Sequence, residues 1–448
     1  MDKKKIKANN SPQISNRQNH QEKKLNRRQF LLGGTAAGFS GAVLTLSASS
    51  PPILSSPSKA RFPIEITDKC KRMNQKYTIF NRQLWDYELI NKIEEAASKS
   101  ERTSKLNQHG WSQLDYALSE AGWTVDNKFA PGSEGGQPQT PAYDWDEPVN
   151  PKKFKFKDAK DASKKIKKAA HFLGASLVGI ADYDPLWTYS HLVKENINAE
   201  YSPEEPPQFE LIPPEFPFQP KSVVVMAVEM NYKGISLSPS ALEEAATGLG
   251  YSHMCALGCS VSAFIRQLGY RAFGHGNDVS LSIPYAIAAG LGELGRNGLL
   301  ITQEFGPRVR IVKVFTELKL QPDRPKTFGV WQFCKTCKRC AQACPSQAIS
   351  FGPPTLEGET ISNNPGVLKW YINPEKCIQF WRENGSDCAN CISSCPYNKL
   401  PLWNHKLGAT LAALPIAPFQ YFLARMDNLF GYGSIRNSQA NANFWDED

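Results

Sequence analysis

The stretch from Phe333 to Pro345, FCKTCKRCAQACP, places four cysteines at the spacing Cys334-x2-Cys337-x2-Cys340-x3-Cys344 and ends in proline. A second run, Cys377-x10-Cys388-x2-Cys391-x3-Cys395, is also followed at once by a proline. Four cysteine thiolates hold one cubane iron–sulfur cluster, and the last cysteine of each such run usually ligates the cluster of the other run. These runs use eight of the eleven cysteines in the chain.

We therefore predict two [4Fe–4S] clusters with crossed ligands. The predicted ligands of the first cluster are Cys334, Cys337, Cys340 and Cys395, and those of the second are Cys344, Cys377, Cys388 and Cys391. Two zinc sites or a disulfide framework are the alternatives, but zinc motifs pair two C-x2-C units and need no terminal Cys-Pro. Because two clusters in series transfer single electrons, the rest of the chain should contain an electron acceptor.

The three other cysteines, Cys70, Cys255 and Cys259, lie outside both runs. Cysteine is often a small buried apolar residue, and we expect that role for these three.

The basic charge is concentrated at the N-terminus. Residues 1–28 hold nine Lys or Arg and two acidic residues, a net +7 of the chain's +9, which leaves +2 for the other 420 residues. A nearly neutral body gives no electrostatic argument for nucleic-acid binding, so we expect no nucleic-acid partner.

The same segment resembles an export signal. Asn26-Arg27-Arg28-Gln29-Phe30-Leu31 has the twin-arginine pattern, and an apolar run rich in Gly and Ala follows to Leu46. A membrane anchor is the alternative, but about 20 strongly apolar residues are needed to span a bilayer. We expect cleavage between Ala48 and Ala60 and export of the protein folded around its cofactors.

Hydrophobic spacing predicts a mixed α/β body. We predict helices over residues 77–125, 157–174, 240–268 (with a break near 248–250) and 284–295, and strands over 176–181, 222–230 and 309–316. Residues 132–151 are predicted to form a surface loop, and the seven prolines of 203–220 argue against regular structure there. We interpret the lysines of 157–174 as a solvated face.

Three cofactor motifs are missing from the sequence. No strand-flanked G-x-G-x-x-G and no G-x4-G-K-[ST] is present. Residues 290–295 (GLGELG) have the glycine spacing of the first motif, but they end a predicted helix instead of following a strand, and we expect them to serve helix packing. The D-x-H-x-x-G motif that often supplies a histidine to a corrinoid is also missing.

From residue 243 onward the sequence closely resembles the corrinoid-dependent reductive dehalogenases of organohalide respiration. The segments that carry the resemblance are 245–254 (AATGLGYSHM), 264–270 (FIRQLGY), 289–296 (AGLGELGR), 302–310 (TQEFGPRVR) and 328–334 (FGVWQFC). The twin-arginine pattern and both cysteine runs also match, so the resemblance covers the signal and roughly residues 150–435. The ten-residue gap in the second cysteine run is shared with the family and suggests a loop around the second cluster.

The resemblance implies a fold and a chemistry. It implies a nitroreductase-like corrinoid-binding core, of mixed α/β (α+β) class, with an appended bacterial-ferredoxin-type module for two clusters. It implies a base-off, cobalamin-type corrinoid without a lower protein ligand, to which the clusters pass electrons. The resulting Co(I) would drive replacement of halogen by hydrogen in an organohalide, the last step of an anaerobic respiration.

The resemblance also assigns three site residues. Tyr251 matches the family's proton-donor tyrosine, Arg310 matches the arginine beside it, and Asn277 matches an active-site asparagine. Tyr251 and Asn277 are also expected to contact the corrinoid. A phenol has a pKa near ~10 and is a poor acid unless a cation such as a guanidinium stabilises its phenolate. Surface or structural roles are expected for the nearby His253 and His275.

We accordingly divide the chain into a signal and linker (1–59), an N-terminal helical region expected to help line the substrate pocket (60–150), a corrinoid-binding core (151–330), a two-cluster domain (331–400) and a C-terminal extension (401–448). The family implies a peripheral position on the outer face of the cytoplasmic membrane. Its implied partners are a small integral membrane anchor protein and a membrane-linked electron donor, and a homodimer is left open. The alternatives are an epoxyqueuosine-reductase-like enzyme and a non-catalytic exported electron carrier of ferredoxin type.

Overall fold

The computed structural model describes residues 62–100, 102–106, 108–130, 148–195, 209–399, 441 and 443–446. The predicted export signal, nearly all of the predicted loop at 132–151 and most of the C-terminal extension lie outside these residues. Within the described part, no helix combines the length and the apolar character that a membrane span requires.

The described strands form one four-stranded sheet and two short hairpins. The strands are β1 Leu177–Asp182, β2 Leu192–Glu195, β3 Phe209–Ile212, β4 Ser222–Glu229, β5 Ala272–His275, β6 Glu293–Leu294, β7 Leu300–Ile301 and β8 Val309–Thr316. The order in the sheet is β1-β4-β8-β5 and each pair is antiparallel, whereas β2 pairs with β3 and β6 with β7.

The helices cover both faces of this sheet and build the region that follows it. They are α1 Ile79–Arg82, α2 Tyr87–Ser98, α3 Arg102–Lys105, α4 Gln113–Phe129, α5 Ala159–Phe172, α6 Tyr232–Ile235, α7 Ala241–Gln267, α8 Ser282–Ala288, α9 Val330–Thr336, α10 Arg339–Ala343, α11 Pro374–Asn384 and α12 Asn390–Ser393. Short 3-10 turns stand at Gln75–Tyr77 and Pro185–Trp187.

The burial of strand β4 explains its uninterrupted apolar sequence. Because side chains alternate along a strand, Val223 and Val225 enter the core on one face of the sheet while Val224 and Met226 enter the core on the other. Helix α8 contributes to the first core, and α5 and α7 contribute to the second. A central strand covered on both faces needs apolar residues at successive positions.

Helix α7 is continuous, so the predicted break near residues 248–250 is wrong. Two glycines inside a helix cost about 1 kcal/mol each relative to alanine. Close packing between α4 and α7 outweighs that cost. The packing requires glycine at position 248, because a Cβ there would lie 2.5 Å from the indole of Trp123 on α4. At the same crossing a Cβ at Gly122 would lie 2.6 Å from the carbonyl oxygen of Ala245.

Helix α4 brings the N-terminal region onto the core at this crossing. Ser112 and Asp115 form a capping box that fixes its first turn. The hydroxyl of Ser252 on α7 donates to the carbonyl of Gly122 at 2.6 Å and accepts from the backbone N–H of Asp126 at 3.2 Å. The helical region predicted at 77–125 is a series of helices, of which α4 is the one packed on α7.

Two further predictions differ from the structure. The helix predicted over 284–295 ends at Ala288, and the chain turns at Gly290, with φ +72°, before it enters the β6–β7 hairpin. Residues 203–220 contain a strand, β3, because the four residues Phe209–Ile212 lie between prolines and include none. The strands predicted at 176–181, 222–230 and 309–316 are present to within one residue at each end.

Candidate active site and cluster sites

The structure gathers the first predicted thiol set around one cavity. Cys334, Cys337, Cys340 and Cys395 all line a cavity of about 310 Å³, which includes the part open to solvent. The first three residues lie on or beside α9 and α10, and the fourth follows α12 in the second run. The crossed arrangement is thus geometrically available, although ligation itself stays a prediction.

The second thiol set also lies together. Burial raises the pKa of Cys391, and the thiols of Cys388, Cys377, Cys340 and Cys344 raise it further. Burial and then Cys344 raise the pKa of Cys377, so the four thiols of the second set are electrostatic neighbours, with Cys340 of the first set also close to Cys391. The Oγ of Ser238 lies 3.9 Å from the Sγ of Cys388 and accepts a hydrogen bond from the backbone N–H of Ala389 at 2.7 Å.

The protonation of these thiols fits a bound iron–sulfur group. Burial raises the pKa of Cys340 to about 12 and that of Cys377 to about 12, and it raises the pKa of Cys395 well above its usual value. Buried thiols in such a group become thiolates together only if bound cations neutralise them, as the irons of a cluster do. In the described part of the chain, no set of three or more His, Cys, Asp or Glu is placed to hold a single metal ion.

The β6–β7 hairpin joins the core to both cysteine runs. The carboxylate of Glu293 accepts hydrogen bonds from the backbone N–H groups of Phe328, Val330 and Trp331, at the start of α9. At the turn, the amide of Asn297 donates to the carbonyl of Cys391 at 3.4 Å. Residues 290–295, predicted to serve helix packing, therefore lead into a hairpin that holds the cluster module.

Tyr251 and Arg310, which were predicted to be neighbours, are in contact. Nη1 of Arg310 lies 3.4 Å from the hydroxyl oxygen of Tyr251, the long end of hydrogen-bond distance, and the guanidinium carbon lies 4.4 Å from the centre of the phenol ring. Nη2 of Arg310 donates to the hydroxyl of Thr247, one helical turn before Tyr251, at 3.3 Å. Strand β8 and helix α7 therefore place a permanent cation beside a phenol.

The N-terminal region adds two side chains to this pair. Trp123 stacks on the ring of Tyr251, with centroids 5.0 Å apart and an interplanar angle of 24°. Burial and the nearby Asp278 raise the pKa of Asp126 to about 6, and Arg310 opposes that shift. Both residues lie on α4 and reach the site through the close crossing with α7.

A buried carboxyl pair lies behind Thr247. The Thr247 hydroxyl donates to Oε1 of Glu243 at 2.9 Å, and Oε2 of Glu243 accepts from the backbone N–H of Ala389 at 3.1 Å. Burial raises the pKa of Glu243 to about 7 and raises that of Asp387, whose carboxyl is hydrogen-bonded to it. Polar contacts thus run from Arg310 to the second cysteine run.

Asn277 does not contact the Tyr251–Arg310 pair directly. It is exposed, and its Oδ1 accepts a hydrogen bond from the hydroxyl of Ser282 at 2.7 Å. The buried Lys313 donates to that hydroxyl at 2.5 Å and to the carbonyl of Gly276, so it fixes the loop that carries Asn277. Burial lowers the pKa of Lys313 to about 7.

Arg310 and Asn277 both have hydrogen-bonding capacity that their described contacts leave unused. The Nε of Arg310 is buried and has no hydrogen-bond partner in the described part of the chain, and the side chain of Asn277 faces solvent. Polar groups left open in this way suit the edge of a cofactor or a substrate.

The other singled-out residues have structural surroundings. His275 is buried, accepts or donates one hydrogen bond with Ser280 at 2.9 Å, and packs edge-on to Phe315, whereas His253 is exposed. Cys70 and Cys255 are buried as expected, but Cys259 is only half-buried.

Comparisons with known proteins identify the family of the chain. Residues 333–399 match the 4Fe-4S dicluster domain family. The tetrachloroethene reductive dehalogenase of Dehalobacter restrictus is 39% identical over 395 residues, which cover 75% of this chain and 71% of that protein. The tetrachloroethene reductive dehalogenase of Sulfurospirillum multivorans is 35% identical over 356 residues, which cover 74% and 71%.

The fold is also that of a solved reductive dehalogenase studied for B12-dependent dehalogenation. The TM-score is 0.60 at 22% identity, over 84% of this chain and 49% of that chain, so this chain matches about half of the solved protein. The chain belongs to the reductive dehalogenase family, which makes it an oxidoreductase acting on carbon–halogen bonds. The mixed α/β fold class and the family prediction are therefore confirmed, and the epoxyqueuosine-reductase-like and electron-carrier alternatives are set aside.

Several residues of these sites were missed in the sequence. Trp123 and Asp126 lie far from the resembling segments, and no local pattern marks them. Thr247 stands four residues before Tyr251, so helical periodicity could have placed it on the same face. Residues Glu293, Arg296 and Asn297 lie in a segment rich in glycine, whose hairpin is set by tertiary contacts.

Proposed function

We propose that this protein replaces a halogen atom of a small organohalide by hydrogen, with electrons delivered through two [4Fe–4S] clusters to a base-off corrinoid. The overall change consumes two electrons and one proton and releases halide. A corrinoid, when bound, supplies the cobalt centre that receives the electrons and breaks the carbon–halogen bond. Tyr251 and Asn277 would contact it, and the missing D-x-H-x-x-G motif favours a cofactor without a protein ligand below the cobalt.

The electron route would follow the crossed thiol sets. Cys334, Cys337 and Cys340 would hold the first cluster with Cys395, because these four thiols surround one cavity. The other four thiols would hold the second cluster. Ser238 touches Cys388 and lies just before α7, the helix that carries Tyr251, so the second site is supported as the one that faces the core.

The proton would come from Tyr251. When its hydroxyl gives a proton to the reacting carbon, the phenolate that remains lies against the guanidinium of Arg310. Trp123 covers the phenol ring and excludes water from one side. Stacking on one face and a permanent cation near the oxygen favour proton transfer to substrate over exchange with solvent. This Tyr251–Arg310 contact is the observation that carries the proposal.

The substrate class follows from relatives that act on tetrachloroethene. An apolar chlorinated alkene offers no group for ion pairing, so shape and aromatic contacts would select it. Trp123 provides such a surface beside Tyr251. The two relatives are 39% and 35% identical, and we extend the proposal to small organohalides as a class.

The location and partners are part of the same proposal. Arg27 and Arg28 precede an apolar run, which supports twin-arginine export to the outer face of the cytoplasmic membrane. There the enzyme would be peripheral, bound to a small integral membrane protein and reduced by a membrane-linked donor.

The test uses the full chain, purified without oxygen and reconstituted with iron, sulfide and cobalamin. We expect about eight irons per chain, because four thiolates hold each of two four-iron clusters. We also expect one cobalt per chain from the bound cobalamin. Reduced viologen should drive halide release from at least one member of a panel of chloroethenes, chlorobenzenes, chlorophenols and haloalkanes. A protein that holds both metals but releases no halide from any of them contradicts the activity, and one that contains four or fewer irons contradicts the two-cluster route.

A further inference from the structure

Arg296 is a buried cation at the wall of the first thiol cavity. It lies at the turn of the β6–β7 hairpin, is 2% exposed, and lines the cavity together with Cys334, Cys337 and Cys340. Burial lowers the pKa of Arg296, and the three thiols oppose that shift in part. A guanidinium stays protonated in proteins despite such a shift, so the site holds a permanent positive charge.

The contacts of Arg296 hold it firmly but do not neutralise it. Its Nε and Nη2 donate to the carbonyl of Cys334 at 3.0 and 2.9 Å, and its Nη1 donates to the carbonyls of Ser350 and Gly352 at 2.7 and 2.9 Å. Its guanidinium carbon lies 4.7 Å above the ring of Trp370. Among the described residues, no carboxylate forms an ion pair with it.

A buried charge without a counter-charge is costly, and buried arginines therefore pair with an anion. The buried Arg308 shows the ordinary solution, because its Nη1 donates to the carboxylate of Glu229 at 2.6 Å. For Arg296 the nearby groups that can carry a negative charge are the sulfurs of Cys334, Cys337 and Cys340, once a bound cluster has made them thiolates. Its counter-ion would be the anionic iron–sulfur group that these thiolates hold.

We propose that Arg296 sets the reduction potential of the first cluster, by stabilising its reduced state with a fixed positive charge. Reduction adds one electron from an external one-electron donor, takes up no proton, and makes the cluster more negative by one charge. A buried cation beside it stabilises the more negative state, and net charge is one of the main determinants of cluster potentials. Arg296 is then a positioning and tuning residue, which makes the first cluster easier to reduce. This inference rests on the proposed two-cluster route.

The test is a redox titration of the reconstituted protein followed by EPR. Arg296→Gln removes the charge and keeps hydrogen-bonding groups at the turn. The reduction equilibrium of one cluster should become at least about tenfold less favourable, which is about 59 mV for a one-electron couple. The step that moves should be the one altered by Cys334→Ser, and the other step should move less.

The matched control is Arg266→Gln. Arg266 is also 2% exposed and also donates to a backbone carbonyl, that of Ala272, but it lies on α7 away from the cysteine runs. The Arg266→Gln variant should have a lower melting temperature and unchanged reduction potentials for both clusters. If Arg266→Gln shifts the same potential as far as Arg296→Gln does, loss of a buried arginine rather than local charge is the cause, and the proposal is overturned.

A second variant tests the charge within one folded protein. In Arg296→His the side chain carries a positive charge only at low pH. The potential of the first cluster should therefore fall as the pH rises through the imidazole range, more steeply than in the parent. A variant with the parental pH dependence, or an Arg296→Gln protein that holds two clusters at unchanged potentials, overturns the proposal. An Arg296→Gln protein that cannot hold the first cluster after reconstitution, while the control can, assigns Arg296 a purely structural role instead. If the parent protein holds no iron after reconstitution, the proposed two-cluster function is contradicted, which is a different outcome from a failure of the role proposed for Arg296.

Discussion

Removal of the Tyr251 hydroxyl is expected to change the rate of the reaction and to leave the fold intact. Tyr251→Phe deletes one oxygen, whose described contact is the 3.4 Å approach of Arg310. The ring that remains keeps its stacking on Trp123 at 5.0 Å and its position 4.4 Å from the guanidinium carbon.

The two expected magnitudes are therefore very different. One long hydrogen bond is worth at most about 1 kcal/mol, so the free energy of unfolding should change by less than that. Loss of a general acid lowers the rate by about 10²–10⁴-fold, or roughly 2.7–5.4 kcal/mol of activation free energy.

The assay is viologen-driven halide release from tetrachloroethene, with iron and cobalt contents and melting temperature measured on the same preparation. Tyr270→Phe is the matched control, because its hydroxyl also makes one described contact, a 2.9 Å hydrogen bond to the carbonyl of Phe154, outside the candidate site. That variant should keep the parental rate. A Tyr251→Phe enzyme with full metal content and the parental rate would refute the assignment of Tyr251 as the proton donor.

Four other changes have defined outcomes. Arg310→Lys keeps the charge but loses the planar fork that reaches both Tyr251 and Thr247, so halide release should fall while cobalt content is retained; an unchanged rate contradicts the role of Arg310. Cys344→Ser should alter the EPR signal of the cluster held mainly by the second cysteine run, and a change confined to the first cluster rules out crossed ligands. Replacement of Arg27 and Arg28 by lysine should abolish export, measured by fractionation; full export excludes the twin-arginine route. Burial raises the pKa of Asp126 to about 6, so the protonated carboxyl is favoured in the folded state. Its contribution to the free energy of unfolding is complete below about pH 4 and is lost as the pH rises through about 6. Asp126→Asn should remove that dependence, a gain of roughly 1–2 kcal/mol at neutral pH after allowance for solvent screening, measured as melting temperatures between about pH 4 and 7; parallel curves for variant and parent contradict it.

The core strands and the cysteine runs were predictable because their signals are local. Strand β4 is apolar at successive positions because both of its faces are covered, and that pattern is visible in the sequence alone. The cysteine spacing is likewise fixed by the geometry that one iron–sulfur group demands of a short chain segment. Resemblance added Tyr251 and Arg310, which the structure places in contact.

The errors arose where distant residues decide local structure. Gly248 and Gly250 lower helix propensity, but α7 continues through them. The Trp123 ring packs in the space that a side chain at Gly248 would need, and this packing stabilises the helix. The glycines after α8 were interpreted as a packing surface, whereas pairing of β6 with β7 makes the segment a hairpin. Neither outcome can be derived from periodicity, because the deciding partner lies elsewhere in the chain.

The sequence by itself indicated the iron–sulfur domain, the family resemblance and the mixed α/β class, because each depends on residue type and short-range spacing. Only the tertiary structure decided which groups share a low-dielectric site: Trp123 and Asp126 beside Tyr251, and Arg296 at the first thiol cavity. Charge and proton energetics depend on distance and burial, and for residues far apart in the chain both are fixed by packing.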